Sequence, residues 1–229
     1  MHIGIIIAME EELASISNAV PLTQVKQIFP IYKARQKNLE LSVIISKIGK
    51  AAAASATTYL IEKYNPDLII NIGSCGGLNK AKLASIIVSD VAAYHDVDVT
   101  GFGYKLGQLP GQNETFTANK NTYNCTDLHQ YLKKDYPILD GTVITGDQFV
   151  NSQEDILAIK SIYPNTVAID MEAAAIAQIC NLYNKDFLLV KKVSDLADSN
   201  ATSSFKEEIQ KMNEKMPLLI TKILEYFQK

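Results

Sequence analysis

A chain of 229 residues, 47% of them hydrophobic, is long enough to bury a sizeable core and fits a single α/β domain spanning 1–229. Acidic residues outnumber basic ones, 25 to 22, for a formal net charge of -3, so no broad positive field invites a nucleic-acid backbone or an anionic membrane. No stretch reaches the ~18 consecutive apolar residues of a membrane span. Cys75, Cys125 and Cys180 are odd in number and widely spaced, which suits a reducing cytoplasm and not a disulfide framework.

The apolar start, Ile3 to Met9, has no basic flank and runs straight into Glu10-Glu11-Glu12, so it reads as a buried strand over 2–8 and not as a leader. A helix is predicted over 10–19. Two extended runs flank Gln36-Lys37-Asn38 within 26–47, which predicts a hairpin ending in a strand at 40–47. Further strands are predicted at 67–73, 84–93, 139–145, 166–170 and 186–193, alternating with helices at 49–64, 118–134, 152–161, 171–183 and 203–228. The alternation predicts an α/β fold: one twisted, mixed sheet flanked by helices. Residues 94–117 carry Gly101, Gly103, Gly107, Pro110 and Gly111 among Tyr94, Phe102, Tyr104 and Phe116, too long for an ordinary connection and of a length that is functional or interfacial.

In open α/β sheets ligands bind beyond the carboxyl ends of the strands, so the residues following each apolar run are informative. Five runs end in Met9-Glu10-Glu11-Glu12, Gly73-Ser74-Cys75-Gly76-Gly77, Gly146-Asp147-Gln148-Phe149, Asp170-Met171-Glu172 and Ser194-Asp195. Each alone has a bland explanation as a cap, a first-turn acid or a turn glycine. Together they put several carboxylates, an aromatic and a glycine-rich turn around one crevice suited to a small molecule. Lys191 and Lys192 are the only cations near these turns, which disfavours a substrate with several phosphates. His2, His95 and His129 have no ligand spacing, so no metal is expected, and no cofactor. Ser74 lies outside a Gly-x-Ser-x-Gly setting and reads as a donor, not a nucleophile.

The same segments, together with Tyr94 to Thr100, Gly107-Gln108-Leu109-Pro110-Gly111, Thr145 to Val150, Val193 to Asp198 and Ser204-Phe205, resemble in order the methylthioadenosine/S-adenosylhomocysteine nucleosidases of the purine nucleoside phosphorylase and uridine phosphorylase superfamily. The resemblance implies cleavage of the adenine–ribose bond of 5'-thioadenosines, and of 5'-deoxyadenosine, without metal or cofactor. It implies Asp195 as the proton donor to the base, Glu12 as the base acting on water and Glu172 as the partner of the ribose hydroxyls. Met9, Ser74, Cys75, Gly76, Val99, Phe149, Val150, Met171, Lys191, Ser194 and Phe205 are the implied substrate contacts, with Phe102 and Pro110 supplied by the other subunit of a homodimer. Alternatives are a phosphate-dependent phosphorylase, a 6-amino-6-deoxyfutalosine hydrolase and a non-catalytic nucleoside binder. Two departures stand out: Lys191-Lys192, where the family has Arg and then a small residue, and Leu83-Ala84-Ser85-Ile86, where a Gly-Asp turn is usual.

Overall fold

The computed structural model describes residues 1–229, the side chain of Asn213 excepted. The elements run β1 (His2–Ile7), α1 (Glu10–Ser17), β2 (Thr23–Val25), β3 (Ile31–Gln36), β4 (Leu39–Ile45), α2 (Lys50–Tyr64), β5 (Leu68–Gly77), β6 (Ile86–Ser89), β7 (Val91–Tyr94), β8 (Phe116–Thr117) and α3 (Cys125–Leu132). They continue as β9 (Ile138–Leu139), β10 (Thr142–Thr145), α4 (Gln153–Ile162), β11 (Thr166–Asp170), α5 (Ala173–Leu182), β12 (Asp186–Asp195), α6 (Ala201–Gln210) and α7 (Met212–Phe227). All twelve strands join one mixed sheet, in the order β2-β3-β4-β1-β5-β11-β10-β7-β8, with β12 branching from β5 to β6 and β9. The expected α/β architecture is the observed one.

Both faces of the sheet are covered, which is why β1 and β5 are mostly apolar along their length. Ile3, Ile5 and Ile7 pack with α7 residues Met216, Leu219, Ile220 and Ile223 on one face. Ile6 and Ile69 pack with α2 and α5 on the other, where the small side chains Ala53, Ala56, Ala174 and Ala177 let the helices approach closely. No described helix is long and apolar enough to cross a membrane.

Several expected boundaries shift, each for a local reason. The strand expected at 84–93 breaks at Asp90, where Ser89 Oγ accepts the Val91 N–H at 3.0 Å and turns the chain from β6, beside β12, to β7, beside β10. The run at 139–145 breaks in the same way at Asp140-Gly141, sending β9 to β6 and β10 to β7 and β11. The helix expected at 118–134 starts only at Cys125, because Asn124 Oδ1 caps it, accepting from the Thr126 and Asp127 N–H groups. Residues 203–228 form two helices parted at Lys211: α7 carries the core stripe, whereas α6 is mostly polar and packs over β12. The hairpin forms as expected between β3 and β4, with Lys37 at φ 54 in its tight turn, and β2 adds an unanticipated edge strand.

The largest correction falls on Gly73-Ser74-Cys75-Gly76-Gly77. The glycines suggest a turn after the strand, yet β5 runs through them to Gly77. Its first half pairs with β1, as far as Asn71 opposite Ile6, and its last residues, Gly76 and Gly77, pair antiparallel with β11. The strand thus leaves β1 for β11 along its length, and the parting of β1 from β11 opens a crevice. The glycines serve close approach: a Cβ at Gly73 would lie 2.8 Å from Glu12 Oε1, and one at Gly76 2.8 Å from Ile169 Cγ2 and 3.1 Å from Asp195 Oδ1.

Candidate active site

The crevice is a cavity of 480 Å³ lined from all five expected strand ends, though Ser74, Cys75 and Gly76 enter it from within β5. Ala8, Met9 and Glu12 contribute from β1 and α1, and Gln148, Phe149 and Val150 follow β10. Ile169, Asp170, Met171 and Glu172 lie at the end of β11, and Ser194 and Asp195 at the end of β12. Ile48 and the α6 residues Thr202, Phe205 and Lys206 complete the wall.

Glu12 is 2% exposed and sits where β1 has ended and β5 is left with free backbone donors. Its Oε1 accepts the Ser74 N–H at 3.0 Å, and its Oε2 accepts those of Ala8 at 2.8 Å and Met9 at 3.1 Å, so one carboxylate closes the strand gap and caps α1. Burial pushes its pKa up, Lys191 and the three N–H donors pull it back, and the net displacement is upward. Glu10 carries no such contacts and lies exposed on the first turn of α1 with Glu11.

Glu172 is the N-cap residue of α5, and its Oε1 accepts the Gly49 N–H at 2.9 Å. Burial raises its carboxyl above the usual range and neighbouring Asp170 raises it further, against Lys191 and the Gly49 hydrogen bond. Asp195 is 2% exposed; its Oδ1 accepts the Ala197 N–H at 2.9 Å and its Oδ2 lies 2.8 Å from Ser194 Oγ. Burial lifts its pKa above the ordinary value in spite of both contacts. Cys75, fully enclosed, has its thiol pushed up by burial and so stays neutral.

Lys191 does not line the cavity. The expected substrate contact is instead an internal ion: 1% exposed, with Nζ 2.7 Å from Asp170 Oδ2. Burial alone would depress its pKa, but Asp170, Glu172 and Glu12 more than offset that, and the ammonium is held above its ordinary range. Asp170, named at the strand end but given no role from sequence, is the hub. It accepts from Thr145 Oγ1 at 2.6 Å and from the Glu172 and Ala173 N–H groups, fixing the start of α5 beside Lys191. Lys192 points to the opposite face of β12, where Nζ lies 3.4 Å from Glu208 of α6.

The apolar walls are Phe149, Met171, Ile169, Val150 and Phe205, with the Phe149 and Phe205 rings edge to face at a centroid distance of 6.1 Å. Val99, Phe102 and Pro110 do not line the cavity of their own chain. Val99 lies in a segment tied down on either side of it, where Tyr163 Oη donates to the Tyr94 and Leu106 carbonyls. On that segment Phe102 is left 86% exposed. Among the described residues no three His, Cys, Asp or Glu are grouped to hold a metal ion. Sequence reading named Gln148 at a strand end without a role and passed over Ile48, Ile169, Thr202 and Lys206; the last two lie three and one residues from Phe205, on the same face of α6, a spacing that was legible.

Residues 2–225 match the model of the phosphorylase superfamily. The chain is 38% identical to the 5'-methylthioadenosine/S-adenosylhomocysteine nucleosidase of Buchnera aphidicola subsp. Schizaphis graminum over 97% of each chain. It is 40% identical to that of Staphylococcus haemolyticus over 90% of this chain and 91% of the relative. Among solved structures, the nucleosidase of Neisseria meningitidis in complex with methylthio-immucillin-A superposes with a TM-score of 0.91 at 31% identity, covering 98% of this chain and 99% of the other. Likeness of this extent in both sequence and structure leaves no part of the sheet or the crevice outside the comparison, and the chain belongs to the 5'-methylthioadenosine/S-adenosylhomocysteine nucleosidase family.

Proposed function

We propose that this protein hydrolyses the N-glycosidic bond of 5'-methylthioadenosine and S-adenosylhomocysteine, releasing adenine and the 5'-substituted ribose. The observation that carries the reading is the placing of three buried carboxyls with raised pKa, Glu12, Glu172 and Asp195, around one apolar-walled cavity. Phe149 stacks on the purine and the Val150 backbone reads its edge, with Met9, Ser74, Cys75, Gly76 and Ser194 closing around the nucleoside. Asp195, whose pKa burial raises, passes a proton to N7 as the C1'–N9 bond breaks, so that adenine departs neutral. Positive charge grows on the sugar, where the Glu172 carboxylate accepts from the ribose hydroxyls and Met171 packs on the ring. Water attacks C1' and yields its proton to Glu12, whose raised pKa brings it nearer the working range of a general base.

Water is favoured over phosphate by the charge of the site. The turn after β1 offers Glu12 where a phosphate-binding turn needs a cation, and Lys191 is committed to Asp170. The protein works as a homodimer in which the partner's copy of the exposed segment carrying Phe102 and Pro110 closes the cavity. Its place is the cytoplasm, in methionine salvage, a setting that three free cysteines suit. Adenine release from both nucleosides, measured with and without phosphate, tests the reading: release that requires phosphate refutes hydrolysis, and no release leaves a binding protein.

A further inference from the structure

The cavity is acidic where Glu12, Asp170, Glu172 and Asp195 meet, but its α6 wall is not. Thr202, Phe205 and Lys206 occupy positions i, i+3 and i+4 of that helix, one face, and all three line the cavity. Lys206 is the only cation lining it among the described residues. Of the two acids that follow it on the helix, Glu207 is exposed to solvent, and Glu208 lies 3.4 Å from Lys192 and 3.1 Å from Lys211. The Lys192 side chain is 5% exposed within the central strand β12, so this pair ties α6 to the sheet and holds the Phe205–Lys206 face over the opening.

With the purine against Asp195 and Phe149 and the ribose against Glu172, the 5'-substituent extends toward this face of α6. A thioether and its methylenes pack on Phe205; a longer substituent brings its terminus to the Lys206 ammonium and the Thr202 hydroxyl. We propose that Thr202 and Lys206 form a carboxylate-recognition subsite, through which the enzyme favours 5'-thioadenosines whose substituent ends in a carboxylate, such as S-adenosylhomocysteine. This inference rests on the nucleosidase reading of the site. It assigns to two residues of α6 a preference between substrates that the cleavage machinery itself cannot distinguish.

The test is the ratio of kcat/KM for S-adenosylhomocysteine to that for 5'-methylthioadenosine, in the native protein and in Lys206→Met and Lys206→Glu. For a partly solvated ion pair the ratio should fall about threefold in the first variant and about tenfold in the second, through KM and not kcat. The fall should shrink in about 0.5 M salt, which screens solvated pairs. The decarboxylated analogue of S-adenosylhomocysteine, with the ammonium kept, should instead gain against methylthioadenosine when Lys206 is removed. A ratio that does not move in either variant, or one that falls equally for the decarboxylated analogue, overturns the subsite. Release of adenine from neither nucleoside by the native protein refutes the nucleosidase reading and this inference with it, whereas release from both with an unmoved ratio refutes this inference alone.

Discussion

Replacing Lys191 by Met removes one of the most enclosed cations in the fold. The Lys191–Asp170 pair is 2.7 Å long with side chains 1% and 2% exposed, so neither water nor salt can substitute for the lost partner. Deleting one member of a buried pair costs about 3–5 kcal/mol, chiefly because the other charge stays behind unpaired. Here Thr145 and the α5 N–H groups still hold Asp170, which places the expected loss near the lower bound. At roughly 2–4 °C per kcal/mol for a chain of this size, the melting temperature should drop by roughly 6–12 °C at pH 7. Lys191 also holds the Glu12 and Glu172 carboxyls down against burial, so without it both rise further. A carboxyl raised in the folded state contributes stability below its unfolded pKa and loses it as pH climbs through the folded one. The deficit of Lys191→Met should therefore shrink toward pH 5. Thermal and urea unfolding of Lys191→Met, Asp170→Asn and the double variant measure this. A loss under about 1 kcal/mol for Lys191→Met, or a double variant no more stable than that single one, refutes the buried-pair account.

Asp195→Asn preserves shape and the Ala197 contact but carries no transferable proton, and Glu12→Gln loses the base and turns an amide NH2 toward either the Ser74 N–H or those of Ala8 and Met9. Each should lower kcat by about 10²–10⁴, with the melting temperature nearly unchanged for Asp195→Asn and lowered for Glu12→Gln, which leaves buried N–H donors unpaired, and a kcat within a few-fold of native removes the assigned role. Glu172→Gln keeps an acceptor for Gly49 and removes a carboxyl whose ionised form is disfavoured by burial. Its stability relative to the native protein should rise from about pH 5 to pH 8, and a difference that is flat or falls with pH refutes the raised pKa. Phe149→Ala should raise KM about tenfold through lost stacking on the base, with kcat less affected; an unchanged KM in steady-state assays removes Phe149 from the purine site.

The class of fold was legible because β1, β5 and β12 each carry an apolar run, Ile3 to Ile7, Leu68 to Ile70 and Phe187 to Val190, and are separated by helical periods. The breaks at Asp90 and Asp140-Gly141 were not, since each separates two apolar runs that look continuous until one knows that they serve different neighbours in the sheet. Reading Gly73 to Gly77 as a turn failed for a related reason. Glycine signals either a bend or a close approach, and local sequence does not say which; here it is Glu12 and Asp195 that come close. Residues from all five stretches do line one cavity, four of them at strand ends and Ser74 to Gly76 from within β5. What spacing could not reveal was direction: Lys191 and Lys192 are adjacent in sequence, yet strand alternation sends one to Asp170 and the other to Glu208.

That alternation also bears on why the site handles water. A nucleosidase that kept an exposed cation at the sugar end would attract anions from solution and compete with its own nucleophile. In this chain the cation is present but withdrawn: Lys191 compensates Asp170, Glu172 and Glu12 from below the cavity wall and offers the solvent nothing. The carboxyls can therefore be buried close together, with their pKa values raised, without the fold bearing several uncompensated charges. The accessible positive charge lies on the α6 wall at Lys206, where it meets the substituent and not the bond being broken. Moving a single lysine from the interior to the sugar face, as Lys191→Met with Ser74→Lys would do, should thus convert the site into one inhibited by inorganic phosphate, measured as competitive inhibition absent from the native protein; no such inhibition would separate nucleophile choice from cavity charge.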